Sequence, residues 1–534
     1  MVVIMKKITV VGSGTAGSLA SAFLAKEFPQ CTVEMIHSEK VGIIGVGESI
    51  TPHLPGLLRH LGVDEKKFMR ETSAVFKYGN SMENWTNKPD SLRNFYWSNT
   101  FDKPHTWSNV QNTTPSDLKT SDVWLDVYKE GSAPDLDHYH SNSEVYQYCK
   151  DLKMPFDDDG NYLIPATATY AYHIDAEKTS PWIRENVCKK YGVIETIAHV
   201  ESIRTNESGI ESVTLDNGRV VSSDIWVDCT GLSRLLISSL TDEVHLYKNN
   251  KVNSAVVAPI EYIDKSKEQV NYTRSIANEM GWTFSIALND RIGTGLVYSD
   301  EHFMTHDSHV FFTAANTSRL IREPRHLHWT PMRMRYPHRG NCYAIGMAAG
   351  FIDPLEANAV VSAISCMKHL VWGIQRGYGC DYYNDKICYY LDDIAAFTSV
   401  HYTLSTRDDN DFWKEMREIG VRENHREMVR EKYYETANSI SGVVGYETAF
   451  PDVTWLDIAN NWDVDVSEWE IRSTLEQRQE YIMSERRKKW FHRSNSYRNK
   501  KSIGEFMSMM NDVDQYEKGL SAWPDQYFEK MFDR

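Results

Sequence analysis

At 534 residues the chain exceeds what a single hydrophobic core organises, so two or three packed units are expected. A hydrophobic content of 41% and a charged content of 25% are ordinary for a soluble globular protein, and a formal charge of −16 argues against nucleic acid as the main partner. The eight cysteines are scattered, with no CxxC pair and no zinc-ligand spacing, and no HExxH-type histidine set occurs; reduced thiols, a cytoplasmic setting and no metal follow as expectations.

The N-terminal stretch "KKITVVGSGTAGSLASAFLAKEF" reads as a β-branched strand, a glycine turn and an amphipathic helix. That is the order a dinucleotide site requires. Gly12 permits the turn, Gly14 lets a pyrophosphate approach the backbone, and Gly17 packs helix on strand. Thr15 and Ala16 open the helix whose N-terminus faces the phosphates. This start does not read as a signal peptide, because its lysines follow the apolar residues. No stretch approaches the roughly 20 apolar residues of a membrane span. The second strand, "CTVEMIH", ends at His37, with Glu39 two residues on, where a ribose-binding acid is usual; either residue could serve.

Next comes "IIGVGESITPHL", in which Gly47, Glu48 and Ser49 lie where backbone can approach a cofactor. "FKYGNSMENW" sets Lys77 between an aromatic and a glycine turn. Residues 86–165 are polar, aromatic and poor in periodicity, and read as a loop-rich insertion; Trp97, Trp107 and Trp124 could wall a pocket there. "TYAYHIDAEKTSPWIREN" starts a helix after a strand. Residues 188–221 alternate around an Asp-Asn-Gly turn, which predicts antiparallel strands. "SSDIWVDCTGLSRLLI" is a buried strand ending at Gly231. "GWTFSIALNDRIGTGLVYS" puts Trp282 and Phe284 two apart, on one face of a strand. "GNCYAIGMAAGFIDPLEANAV" carries Gly346, Ile352 and a lone Glu356 among small residues. From about 385 onward the spacing is helical. The basic run 486–501 reads as a solvated face balancing an acidic protein, with phosphate or nucleic-acid binding as its alternative.

Taken in this order, these stretches resemble the flavin-dependent halogenases of the tryptophan halogenase family, from about residue 5 to about 415. The pattern is a GxGxxG strand, GVGE, an FKxG lysine, a YHxDA helix, a DCTG strand, a WxWxIP segment and an FxxPLE segment. "HYTLSTRDDNDFW" at 401–413 is similar to the family's C-terminal region. The resemblance implies an α/β fold: a Rossmann-type FAD-binding domain of the flavin monooxygenase kind, an antiparallel β-sheet substrate region and a helical C-terminal region. The expected division is 1–385 for the FAD-binding module and 386–534 for helices covering the substrate.

The resemblance further implies FAD as cofactor, at Gly12, Gly14, Thr15, Ala16, Gly17, His37, Glu39, Gly47, Glu48, Ser49, Gly231, Gly346 and Ile352. It implies a halide ion and a separate flavin reductase, since one dinucleotide fingerprint is present. The expected activity converts halide to hypohalous acid, which Lys77 and Glu356 steer onto an electron-rich aromatic. This chain departs from the family in two places. "WTFSIA" replaces WxWxIP, so Trp282 and Phe284 form the flavin shield and aromatic hydroxylation is the alternative activity. After Glu356 stand Ala357, Asn358 and Ala359 in place of Ser-Thr-Gly. Backbone N–H donors at Asn358 and Ala359 still offer a halide site, and alanine at the glycine position is expected to restrict φ and to favour bromide or iodide over chloride. Trp455 is the candidate for stacking on the substrate. A small aromatic substrate is the expected partner and a homo-oligomer is allowed; neither a membrane nor nucleic acid is expected.

Overall fold

The computed structural model describes residues 5–86 apart from 43–44, 52 and 78, then 171–270, 272–438, 449–450, and single positions 455, 458, 462 and 464. The expected insertion 86–165, with Trp97, Trp107 and Trp124, and the basic run 486–501 thus lie almost wholly outside the described residues.

Strands are numbered along the chain. A mostly parallel sheet has the order β19 (His338–Arg339), β20 (Cys342–Ala344), β11 (Ile225–Asp228), β1 (Lys7–Val11), β2 (Thr32–His37) and β7 (Ile194–Ile197). β1 pairs in parallel with both β2 and β11, which centres it, and Ile8 and Val10 are fully buried. A run buried on both faces is what a central parallel strand needs. The helix Thr15–Glu27 follows β1 directly and packs back beside it.

The antiparallel region is a second six-stranded sheet: β17 (Arg325–His328), β13 (Ser254–Ile260), β16 (Ile292–Tyr298), β15 (Gly281–Ala287), β14 (Tyr272–Asn278) and β5 (Gly79–Glu83). Only β5 runs parallel to its neighbour. Three small sheets join these: β3 (Glu48–Ser49), β6 (Ala171–Ile174) and β4 (Val75–Lys77); β10 (Val220–Val221), β9 (Gly209–Leu215) and β8 (Val200–Asn206); and β12 (Val244–Leu246), β18 (Met332–Met334) and β21 (Gly350–Phe351). β9 and β10 turn back on each other through Asp216–Arg219, the hairpin that "LDNGR" predicts.

The C-terminal helices Asn358–Arg376, Cys380–Thr403, Asp411–Arg422 and His425–Asn438 close the fold. The helix Cys380–Thr403 runs through residue 385 without a break. Asn358–Arg376 is apolar and long enough to cross a membrane by composition, but 14 of its 19 residues are buried within the fold, which makes it a core helix. The seven described cysteines are all free.

Candidate functional site

The glycine turn is shaped by contacts that an added Cβ exposes. At Gly12, φ is +110° and a Cβ would lie 2.3 Å from the Cys229 carbonyl oxygen; at Gly17 it would lie 2.0 Å from the carbonyl oxygen of Gly12. Gly14 is different, since a Cβ there would meet nothing within 4 Å. Two glycines are therefore required by the protein's own packing, and the third faces open space at the start of a helix with no side-chain cap. That is the cradle a pyrophosphate needs, with uncapped N–H groups directed at it.

Other expected cofactor residues surround it. Thr15 donates to Glu48 Oε2 at 3.3 Å. Burial pushes the Glu48 carboxyl up to about 7, opposed by that hydroxyl. Ala16 approaches Gly346, whose φ of +62° suits glycine. Ser49 Oγ lies 2.6 Å from the Thr273 hydroxyl, and Ile352 accepts through its carbonyl from Trp329 Nε1 at 2.9 Å. Gly231, φ +64°, follows Asp228, whose carboxylate is spent on the N–H groups of Thr230, Leu236 and Ile237. His37 lies 2.8 Å from Glu195 Oε1, which also holds Arg184, while Glu39 is exposed.

The second centre is built from charge. Lys77 ends β4, where it pairs with Ala171, and Asn80 on β5 pairs with Thr273, so the segment between them joins two sheets. Lys77 is 3% exposed, and its Nζ donates to the Ile50 carbonyl at 3.0 Å. Burial lowers its pKa to about 7, and the nearby charge of Glu356 opposes that shift. Glu356 arrives from the other end of the chain, on the turn before Asn358–Arg376, and is itself buried. The structure thus brings the two residues into one buried cluster.

Two further residues, not singled out in the sequence, complete it. Asn80 Nδ2 donates to Glu356 Oε2 at 2.7 Å. His401 Nε2 lies 3.1 Å from Glu356 Oε1, but off the line of a hydrogen bond, and Oε1 accepts none among the described residues. His173 packs nearby as a neutral ring: burial lowers its pKa to about 3, helped by the Lys77 charge, with Nδ1 on the Ala287 carbonyl and Nε2 on Thr273. Asp353 accepts from the Tyr402 hydroxyl at 2.5 Å, and burial raises its carboxyl to about 6.

The turn carrying Glu356 is strained. Glu356 and Ala357 adopt φ of +70° and +58°, left-handed values that non-glycine residues rarely take. Ala359, by contrast, lies inside the helix. The expected φ restriction at 359 is therefore corrected: the left-handed positions fall at 356 and 357, because the helix has already begun at 358. Asn358 spends its side-chain amide on the carbonyls of Asp353 and Leu355. Only its backbone N–H and that of Ala359, in a first helical turn, remain for an anion.

Aromatic rings wall the cluster. Trp282 and Phe284 share a face of β15, ring centroids 6.1 Å apart, and the Phe284 ring occupies the space a Cβ on Gly295 would need. Trp85 packs edge-on to Tyr402, His401 and Trp413. Trp455, fully buried, meets Phe397 at 4.9 Å, and Phe397 meets His401 at 5.0 Å. Trp462, also missed in the sequence, lies 5.3 Å from His401. Among the described residues the indole N–H groups of Trp455 and Trp462 are buried without partners. A cavity of about 510 Å³ lined by His369, Trp372, Arg376 and Tyr382 lies toward the opposite end of the same core helix, about 20 Å away along its axis, and takes no part in this site.

A parallel-sheet dinucleotide cradle joined to an antiparallel region and closing helices defines a dinucleotide-binding α/β protein, and the comparisons specify which. The tryptophan halogenase family model matches residues 7–462, so the chain belongs to that family and is a flavin-dependent halogenase. Tryptophan 6-halogenase ThaL of Streptomyces albogriseolus is 28% identical over 80% of this chain and 81% of its own length. Tryptophan 7-halogenase RebH of Lentzea aerocolonigenes is 27% identical over 79% and 81%. The fold is shared with Xcc4156, a flavin-dependent halogenase from Xanthomonas campestris, at a TM-score of 0.69 and 22% identity, covering 91% of this chain and 94% of that one.

Proposed function

We propose that this halogenase installs halogen on an electron-rich aromatic such as an indole, phenol or pyrrole, with Lys77 and Glu356 as its catalytic pair. The observation that carries this is their meeting, from distant parts of the chain, in one buried cluster where Glu356 Oε1 accepts no hydrogen bond among the described residues. Gly12, Gly14, Thr15, Ala16 and Gly17 would hold the FAD pyrophosphate, with His37 or Glu39 at the ribose. Gly47, Glu48, Ser49, Gly231, Gly346 and Ile352 would line the remaining length. Reduced FAD, delivered by a separate reductase, would supply two electrons to oxygen, which takes two more from halide to give hypohalous acid and water.

Lys77 then hydrogen-bonds the oxygen of the hypohalous acid and polarises the O–X bond. The ring carbon takes X; the leaving hydroxide takes the lysine proton and departs as water. Glu356 Oε1 accepts the ring proton as general base and returns it to Lys77, so charge and protons balance. Backbone N–H groups at Asn358 and Ala359 are suited to the halide, and bromide or iodide is favoured because either is less costly to dehydrate than chloride. Trp282 and Phe284 keep substrate from the flavin, and Trp455 lies on the substrate side.

The test is incubation with a flavin reductase, each halide in turn and a panel of aromatics, read by mass spectrometry. Halogenated product lost in Lys77→Ala, with flavin binding unchanged, is the expected result. Because Lys77 acts as an ammonium and titrates near 7, the rate should fall as pH rises through that value. An oxygenated product without halogen, or undiminished product from Lys77→Ala, overturns the reading; a clear chloride preference overturns its halide part.

A further inference from the structure

Asn80 lies on β5, three residues beyond Lys77 and buried. Its amide nitrogen, not its oxygen, faces Glu356. The 2.7 Å bond to Oε2 occupies that oxygen as an acceptor. The other oxygen is left buried and accepts nothing among the described residues. His401 Nδ1 donates to the Phe397 carbonyl at 2.9 Å, and its Nε2 stands 3.1 Å from Oε1 without forming a hydrogen bond. The two carboxylate oxygens are therefore unequal: one is held by a hydrogen bond, and the other has only the His401 contact.

An anchor matters at this position. Glu356 and the residue after it both hold left-handed backbone, which is costly for a residue with a side chain and persists only where surrounding contacts fix it. Asn358 ties the turn to itself through the Asp353 and Leu355 carbonyls, but it does not touch the carboxylate. Among the described residues Asn80 donates the one hydrogen bond that sets the carboxylate's rotation.

We propose that Asn80 is a positioning residue for halogen transfer: its amide anchors Glu356 Oε2, so that Oε1 alone faces the reacting ring and takes its proton. This inference rests on the halogenase chemistry proposed for Lys77 and Glu356. The charged and titratable groups packed around the carboxylate are Lys77 of β4, His401 of the helix Cys380–Thr403 and Asp353 of the preceding turn, with His173 of β6 beyond Lys77.

The experiment compares the wild type, Glu356→Gln, Asn80→Leu and Asn80→Asp, each as full chain with FAD, a flavin reductase, bromide and the aromatic panel. Hypobromous acid is trapped in parallel by an added diketone. The expected result is that Asn80→Leu binds FAD and forms hypobromous acid like the wild type, yet transfers bromine to the ring roughly 10- to 100-fold less efficiently, the scale of one hydrogen bond to a charged group. Asn80→Asp keeps the shape and loses the donor once ionised. Its activity relative to wild type should fall as pH rises from 5 to 8 and recover at the acid end, where the introduced carboxyl again donates. A merely structural role gives no such profile, and Asn80→Asp decides the matter if Asn80→Leu does not fold. An active wild type with both Asn80 variants equally efficient and no altered pH profile overturns the inference alone. A wild type that makes no brominated product sinks the halogenase reading and takes this inference with it.

Discussion

The dinucleotide cradle and the Lys77–Glu356 cluster are built by opposite means. The cradle is made of backbone from one short stretch, where glycines at 12 and 17 clear atoms that a side chain would strike and Gly14 leaves room for a ligand. The cluster is made of buried charge from β4, β5, the turn at 353–357 and the helix ending at Thr403. Shape is inexpensive to encode locally, because a missing Cβ needs no partner. Buried charge is costly to hold and must be compensated by groups that converge from elsewhere. The first region should therefore fail by steric overlap and the second by lost chemistry, with stability unharmed or even improved.

The sharpest separation comes from Lys77→Met, which keeps the side-chain length and removes the charge. Product formation should drop by about a thousandfold or more, the scale of a lost transition-state donor, measured as halogenated product per flavin oxidised. The same variant should be more stable than the wild type at neutral pH. Folded Lys77 gives up its proton near 7, while the unfolded side chain keeps it to about 10.5. Between those values the unfolded state binds more protons, so wild-type stability rises with pH, by on the order of 1.4 kcal/mol per unit at most. Denaturation of both proteins at pH 7 and at pH 10 should show the variant's advantage shrinking. An equal pH dependence in the two would mean Lys77 is not the group that titrates.

Next in size is Gly17→Val. Its Cβ would fall 2.0 Å from the Gly12 carbonyl oxygen, backbone that cannot swing aside. A loss of about 3 kcal/mol or more is expected, seen as a lower denaturation midpoint together with lost flavin. If instead Gly17→Val folds normally, the cradle is not set by close packing. Smallest is Gly14→Ala, whose Cβ meets nothing. Thermal stability should stay within about 0.5 kcal/mol, while flavin affinity, followed by fluorescence titration, weakens several-fold. Unchanged affinity would break the claim that the open space at Gly14 belongs to the cofactor.

Much of this was readable along the chain. β1, the glycine turn and the helix after it lie within a few residues of where the spacing put them, because strand, turn and helix each have a local pattern. Lys77 and Glu356 stood out by their flanking residues. Asn80 sat inside "FKYGNSMENW" and His401 opened "HYTLSTRDDNDFW", yet neither was singled out. An asparagine on a strand or a histidine on a helix carries no local mark of what it will face. The left-handed pair at Glu356 and Ala357 was not anticipated, for a related reason. Where the helix begins depends on Asn358 folding its amide back onto two carbonyls, and nothing in "PLEANA" announces that bond.

By itself, then, the sequence determined the elements whose cause is local: alternation, glycine placement and helical spacing marked individual strands, helices and the dinucleotide turn, while the α/β plan came from the resemblance of the ordered motifs. Only the tertiary structure decided which oxygen of Glu356 is tied and which is open, and which rings and charges surround Lys77. Those are relations between side chains brought together from distant parts of the chain, and their energies depend on burial and on distances of about 3 Å that no spacing along a chain encodes.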